Sequence, residues 1–180
     1  MEILEFSELD RATGTTGPSS EPSATRHSVV CLHNSEDIQE WAASTASADM
    51  EAQSTPVHLI ATGVAAFEAI ALGARRPALV KSLILGDPEV DPALPGYQEL
   101  LGDVQAPTLV IAAAPTFDTD ISKPQSVAGG IKDGVFVIID NCEVPAHRSR
   151  PHSFNEWATS FINIAEGLHA FTRPEEDGNA

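Results

Sequence analysis

A buried strand that turns directly into a helix limits the possible folds of this chain more than any other part of its sequence. Residues 57–61 are apolar and partly β-branched, which is typical of a strand covered on both faces. The following run, residues 64–74, is rich in Ala and Leu and places Phe67, Ile70 and Ala74 at helical spacing. In open α/β sheets, ligands bind and reactions occur at such strand–helix turns.

Four further apolar runs predict four more strands, at residues 27–32, 79–85, 108–113 and 135–139. Helices are expected from about Ser35, over residues 64–74 and 121–131, and as one turn at 97–101. The last helix, residues 151–168, is expected to bury a stripe formed by Phe154, Trp157, Ala158, Phe161, Ile162 and Ala165. The alternation of strands and helices predicts an α/β fold, a mainly parallel sheet with helices on both faces.

The length of 180 residues is enough for one α/β core and too short for two. Residues 1–27 are expected to form a flexible arm, because residues 13–25 are rich in Gly, Ser, Thr and Pro. The first six residues, M-E-I-L-E-F, fit a short edge strand. A single domain is expected over residues 28–171, followed by a disordered tail at 172–180.

The charge of the chain opposes several classes of partner. Its 26 acidic and 10 basic residues give a net charge of −16, which repels nucleic-acid phosphates and anionic membranes. No apolar run approaches the roughly 20 residues that cross a bilayer, and the first ten residues carry acids where a signal peptide carries bases. A cytoplasmic protein with neither a nucleic-acid nor a membrane partner is therefore expected.

Motifs for metals and cofactors are missing from the sequence. Cys31 and Cys142 lie far apart and form no C-x-x-C pair, so both are predicted to be buried packing thiols. There is no G-x-G-x-x-G or P-loop motif to hold a nucleotide. No H-x-x-x-H pattern is formed by His58, His147, His152 or His169. The sequence therefore predicts no metal site and no cofactor.

The strand–helix turn resembles the nucleophile elbow of the α/β-hydrolase superfamily. Its five positions, G-x-S-x-G in the family, read A-T-G-V-A at residues 61–65. The resemblance extends to His33-Asn34, similar to the H-G end of a family strand, and to P-T-L-V-I-A-A at residues 107–113. It covers about residues 28–167. The main rival fold is an open sheet of the flavodoxin-like kind.

The resemblance also implies where a catalytic triad would lie. Gly63 occupies the position of the nucleophile, Thr116 that of the acid, and Val144 that of the histidine. Because the family strains its nucleophile at this turn, the resemblance implies that Gly63 lies at a tight turn with positive φ, which glycine adopts at no steric cost. The segment that holds the cap domain in the family is much shorter here, at residues 87–106. The chain is therefore identified as a truncated α/β-hydrolase-like protein, a pseudo-hydrolase.

Polar residues after the predicted strands are the remaining candidates for a site. As acids or bases, the candidates are His33, Asp118 and Glu143, with Asp118 requiring a local shift to reach the site. The candidates for substrate binding are His33, Asn34, Thr62, Gly63, Val64 and Asp87. Each also has a structural interpretation, such as a histidine bonded to a loop, a strand-end turn at Asp87 or a solvated loop acid at Glu143.

Three functions remain open from the sequence. The first is a non-hydrolytic pseudoenzyme that binds a small organic ligand or a partner protein. The second is an acid/base catalyst without a covalent nucleophile, such as a cyclase, dehydratase or isomerase acting on a small metabolite. The third is an ordinary esterase whose catalytic residues lie at positions other than the three matched to the family's triad.

An exposed sheet edge is a further expectation. If the family's strand order holds, the strand that ends at Leu32 lies at or near the edge, where unpaired backbone groups invite pairing. The first six residues, another copy of the chain or a partner protein is then expected to cover that edge.

Overall fold

The computed structural model describes residues 29–32, 56–90 and 94–172. Within them, five parallel strands form one sheet whose spatial order follows the chain. The strands are β1 (Val29–Leu32), β2 (Val57–Thr62), β3 (Val80–Gly86), β4 (Thr108–Ala114) and β5 (Gly134–Asp140). The expected parallel α/β sheet is confirmed, with strand ends that differ from the prediction by one or two residues.

Five helices accompany these strands in the described residues. They are α1 (Ala65–Arg75), α2 (Tyr97–Gly102), α3 (Ser122–Gly130), α4 (Ala146–Ser149) and α5 (Pro151–Thr172), and a short 3-10 turn spans Pro77–Leu79. The one-turn helix α4 was not expected, because four residues are too few to show a helical period. Helix α5 extends beyond residue 168, where the sequence pattern ends. None of the described helices is long and apolar enough to cross a membrane.

The sheet has a buried layer on each face because successive side chains of a strand point to opposite sides. On one face, Leu59, Leu85 and Val110 pack with residues of α1, α2 and α3. On the other face, strand residues pack against α4 and α5, and this cluster includes Ile60, Ile84, Ile111, Phe154, Phe161 and Ile162. Each large apolar side chain buried in this way contributes about 1.5–3 kcal/mol to folding.

Trp157 differs from its expected burial. The stripe of α5 that faces the sheet is formed by Phe154, Ala158, Phe161 and Ala165, whereas Trp157 lies at the margin and is about half exposed. Helical spacing alone includes this position in the stripe, because the pattern does not give the width of the groove that the helix covers.

The two ends of the sheet are β1 and β5. The position of β1 is the one expected for the strand that ends at Leu32. The six residues expected to cover it lie outside the described residues, as do the helix expected near Ser35, the flexible arm at 1–27 and residues 173–180. Since all five strands are parallel, their carboxyl ends meet at one edge, and the loops that follow them form the region described next.

Candidate functional site

The turn between β2 and α1 is built around Gly63. Its φ of 58° lies in the left-handed region, where a side chain costs about 1–2 kcal/mol. The Gly63 N–H donates to the carbonyl of Gly86 (3.0 Å), and the Gly63 carbonyl accepts from the N–H groups of Ala66 (3.3 Å) and Glu89 (3.0 Å). The expected tight turn with positive φ is confirmed, and these bonds hold it against the loop after β3.

Asp87, directly after β3, connects three elements through its backbone and carboxylate. Its N–H donates to the carbonyl of Ile111 (2.8 Å). Oδ1 accepts from the N–H of Ala113 (2.6 Å), and Oδ2 accepts from the N–H of Ala146 at the start of α4 (2.6 Å). Both carboxylate oxygens thus accept backbone hydrogen bonds of the charge-assisted kind. Asp87 therefore fixes the positions of β4 and α4 relative to β3.

The loop after β4 contains two local turns that are held by side-chain hydrogen bonds. Thr119 Oγ1 donates to the carbonyl of Thr116 (2.8 Å) and accepts from its N–H (3.1 Å), so the turn is held at both ends. Phe117 and Asp118, between these threonines, are exposed. Asp120 Oδ1 accepts from the N–H of Ser122 (2.9 Å). A hydrogen bond from the Ser122 side chain lowers the pKa of Asp120 below its ordinary value, and a hydrogen bond from the Ser122 backbone contributes a smaller lowering.

The loop after β5 carries the position matched to the family's histidine. Val144 is 56% exposed there, and Glu143 is exposed with its N–H donating to Ser149 Oγ (3.0 Å). Arg150 Nη2 donates to the carbonyl of Asn141 (3.0 Å) and closes the loop. Cys142 is fully buried, as expected of a packing thiol, whereas the side chain of Cys31 is not described.

A cleft of about 420 Å³ lies between the loops after β3, β4 and β5. This volume lies within the range of ligand sites, roughly 300–1,000 Å³. Twelve residues line it, most of them apolar: Asp87, Pro88, Glu89, Val90, Ala112, Ala113, Thr119, Asp120, Ile121, Lys123, Pro124 and Val144. The cleft is therefore the candidate binding site in the described part of the chain.

The polar groups of the cleft favour binding over covalent chemistry. Lys123 is the basic residue that lines the cleft, and Glu89 and Asp120 are exposed acidic residues that also line the cleft. The lining contains no Ser, Cys or His, and its hydroxyl, Thr119 Oγ1, donates within its own turn. Among the described residues, no group of three or more His, Cys, Asp or Glu side chains could hold a metal ion.

The structure brings only part of the predicted site together. Asp87 and Val144 both line the cleft. Gly63 lies beside it, since its carbonyl accepts from Glu89, whereas Thr62 is buried and Val64 is partly exposed outside the lining. Asp118 and Glu143 are exposed and do not line the cleft. His33 and Asn34 lie outside the described residues, and the roles assigned to all these residues stay predictions.

The fold of the described residues is shared with proteins of known structure. No protein-family model and no curated protein matches the chain, but several solved structures do. One is described as a predicted CIB-like hydrolase from Thermoplasma acidophilum, with a TM-score of 0.59 at 15% identity over 68% of this chain. The fold is that of the α/β-hydrolases. The chain spans 58% of the length of the Thermoplasma protein.

Two further structures with the α/β-hydrolase fold give the same result. MGS-MChE2, an α/β-hydrolase enzyme from the metagenome of lagoon sediments at Mar Chica, Morocco, has a TM-score of 0.60 at 13% identity and covers 72% of this chain and 71% of its own. CarC, a serine hydrolase involved in carbazole degradation, has a TM-score of 0.55 at 14% identity, with coverages of 64% and 67%. The hydrolase-like fold expected from the elbow is confirmed over its flavodoxin-like rival.

Within this α/β-hydrolase fold, a second polar cluster lies away from the cleft, towards the amino ends of β2 and β3. His58 Nδ1 lies 2.8 Å from Ser82 Oγ, and His58 Nε2 lies 2.9 Å from Glu166 Oε1 on α5. These are the residue types of a hydrolytic triad, but His58 and Ser82 are fully buried, so a substrate has no access to the hydroxyl. This cluster was not predicted, because its local signal in the sequence is no more than two polar residues inside apolar strands.

Proposed function

We propose that the protein is a truncated, non-hydrolytic α/β-hydrolase-like protein that binds a small organic ligand in the cleft. The observation that carries the proposal is the chemistry of the three positions matched to the triad. Gly63 has no side chain, Val144 cannot accept a proton, and Thr116 carries no carboxylate. Acyl transfer on this fold needs a nucleophile, a base and an orienting acid, and these positions supply none of them.

The walls of the cleft support the binding part of the proposal. Val90, Ile121 and Val144 provide apolar surface, and Lys123 provides a cation at the start of α3. The carboxylate of Asp87 already accepts two backbone hydrogen bonds, so it adds little free acceptor capacity. These features fit a ligand with an apolar body and one anionic or hydrogen-bond-accepting group near Lys123.

The alternative acid/base function has weaker support from the geometry. A general acid or base must come within hydrogen-bond reach of the proton that it transfers. Asp118 and Glu143, two of the three candidates, are exposed and outside the lining of the cleft. Binding without turnover is therefore the function that the described residues support best.

Native mass spectrometry of the purified protein tests the proposal, followed by denaturation to identify any small molecule that is released. A bound molecule should then be displaced from Val144→Phe, because the larger ring covers the cleft. Ile164→Phe is the matched control, since Ile164 is 60% exposed on α5 and does not line the cleft. Binding that is equally strong in both variants would place the ligand elsewhere, and conversion of the ligand into a product would establish a catalyst instead.

A cytoplasmic location remains a prediction that rests on the acidic composition and on the pattern of the sequence. Cell fractionation followed by immunoblotting would test it. Recovery of the protein in a membrane or secreted fraction would contradict it.

A further inference from the structure

The floor of the cleft between the loops after β3, β4 and β5 is apolar and formed by short side chains. Val90 is 6% exposed, and Pro88, Ala112 and Ala113 are buried beside it. Val144 also lines the cleft but is about half exposed, so the cleft opens to solvent on its side. The floor therefore covers one face of a bound molecule and leaves the opposite face towards solvent.

Phe117 lies in the loop that forms one wall of the cleft, and its side chain is fully exposed. Residues on both sides of it in the chain line the cleft, Ala113 before it and Thr119 after it. The Cα atoms of Phe117 and Thr119 are at most about 7 Å apart, because they are two residues apart in the chain. The benzyl group spans a comparable distance, so rotation of the side chain alone brings the ring over the cleft.

The backbone around Phe117 is fixed by the turn between two threonines. Thr119 N–H donates to the carbonyl of Thr116 (3.2 Å). Thr119 Oγ1 donates to the same carbonyl (2.8 Å) and accepts from the N–H of Thr116 (3.1 Å). Exposed side chains exchange rotamers within picoseconds to nanoseconds, and the phenylalanine side chain has two rotatable torsions. Closure of the ring therefore needs no backbone rearrangement and orders few torsions.

The shape and charge of the cleft favour one class of ligand. A flat ring system placed on the apolar floor presents its second face to Phe117, where two aromatic rings pack in a stacked or edge-to-face arrangement. An aliphatic body of the same size offers no ring face for this contact. Lys123, exposed at the start of α3, provides a cation for an anionic group at the rim.

We propose that Phe117 closes over the cleft and selects a flat aromatic ligand that carries a carboxylate, an inference that rests on the binding function proposed above. Phe117 is then a specificity-determining residue, since its ring contacts the ligand only when the ligand lies on the floor of the cleft. Closure also removes apolar surface of the ring and of the ligand from water. An aliphatic carboxylate of similar size enters the same cleft without the contact between aromatic rings.

Titration with naphthoate and with its saturated counterpart decahydronaphthoate, followed by amide NMR, tests the proposal. The two probes share a carbon skeleton and a charge, so the ratio of their dissociation constants reports the flat aromatic ring. The wild type should bind naphthoate about three- to tenfold more tightly, the range of one aromatic pair, and shift the amide signals of Thr119 and Val144. Phe117→Ala should abolish this preference, and Phe117→Tyr should retain it. Ile164→Ala, at an exposed residue of α5, is the control and should change neither constant.

The outcomes separate the role of Phe117 from the binding function itself. A preference that survives in Phe117→Ala would overturn the inference, as would equal binding of the two probes by the wild type. A wild type that binds neither probe would overturn it too, and the binding function would then depend on the native mass spectrometry. Naphthoate binding that Val144→Phe leaves unchanged would place the probe outside the cleft and contradict both proposals.

Thermal unfolding provides a check on the substitution. Because Phe117 is fully exposed, Phe117→Ala should leave the unfolding temperature of the free protein unchanged. A lower unfolding temperature would show that the ring packs within the fold, and would overturn the proposal.

Discussion

His58 Nε2 lies 2.9 Å from Glu166 Oε1 and thereby connects a fully buried imidazole on β2 to the long helix α5. The same carboxylate oxygen accepts a hydrogen bond of 2.6 Å from Lys81 Nζ. Burial by itself raises the pKa of Glu166, but hydrogen bonds from Lys81 and His58, together with their charges, lower it from 4.5 to about 2. Glu166 is therefore an ionised anchor between the sheet and α5.

The first prediction concerns stability in acid. Because the folded-state pKa of Glu166 is below the unfolded value, its carboxylate stabilises the fold above about pH 4.5, and this contribution is lost as the pH falls towards 2. Glu166→Gln should lower the free energy of unfolding by about 1–2 kcal/mol at neutral pH, an amount that allows for partial solvent screening. The same substitution should also reduce the change in the free energy of unfolding as the pH falls from about 4.5 towards 2. Urea unfolding at several pH values measures both effects.

Glu156→Gln is the control for this experiment. Glu156 lies on the same helix and pairs with an exposed His152 at 3.4 Å. Its replacement should change the free energy of unfolding by no more than about 0.5 kcal/mol. Equal effects of the two substitutions would contradict the assignment of Glu166 as an anchor.

The second prediction compares two glycines in different backbone conformations. Gly63→Ala should destabilise the protein by about 1–2 kcal/mol, because φ at this position is 58°. Gly129→Ala should instead stabilise it by about 0.5–1 kcal/mol, since Gly129 lies in α3 and an added Cβ meets nothing within 4 Å. Thermal unfolding of both variants checks the contrast. A Gly63→Ala protein as stable as wild type would count against the strained turn.

The third prediction concerns the carboxylate of Asp87. Asp87→Asn should lower the free energy of unfolding by about 1–3 kcal/mol. The NH₂ group of the new side chain would face one of the two backbone N–H donors, those of Ala113 and Ala146. Asn tolerates the φ of 44° at this position, so the loss would report hydrogen bonds rather than backbone strain. Asp118→Asn, at an exposed acid, is the matched control and should be nearly neutral. Denaturant titration distinguishes the two, and a neutral Asp87→Asn would refute the role.

The fourth prediction is an absence of serine-hydrolase reactivity. Fluorophosphonate probes should not label the protein, because the elbow position is Gly63 and the hydrogen-bonded Ser82 is fully buried. Gly63→Ser alone should also remain unlabelled, since no base is supplied. The triple variant Gly63→Ser, Thr116→Asp, Val144→His should recover at most a trace of esterase activity.

Mass spectrometry of any labelled protein would locate the modified residue. Stoichiometric labelling of the unaltered protein would contradict the proposal that the protein is non-hydrolytic. Labelling that disappears in Ser82→Ala would show that the buried cluster opens to solvent.

Features that depend on neighbouring residues could be predicted from the amino-acid sequence. Apolar, β-branched runs fix the strands, because residues that pack on both faces of a sheet must be apolar in succession. The positive φ of Gly63 was implied by the resemblance to the nucleophile elbow, where the family strains its nucleophile and glycine adopts the conformation at no steric cost. The parallel order could be inferred because strands and helices alternate.

Contacts between residues that lie far apart in the chain could be seen in the folded protein but not in its sequence. Ser82 and Glu166 reach His58 from 24 and 108 residues away, and no local period indicates that they meet. Both oxygens of Asp87 accept hydrogen bonds from backbone N–H groups of other elements, which a strand-end Asp in the sequence does not reveal. The partial exposure of β5, in which only Ile139 is buried, likewise depends on its place in the sheet, because an apolar run reads the same in a covered strand as in an edge strand.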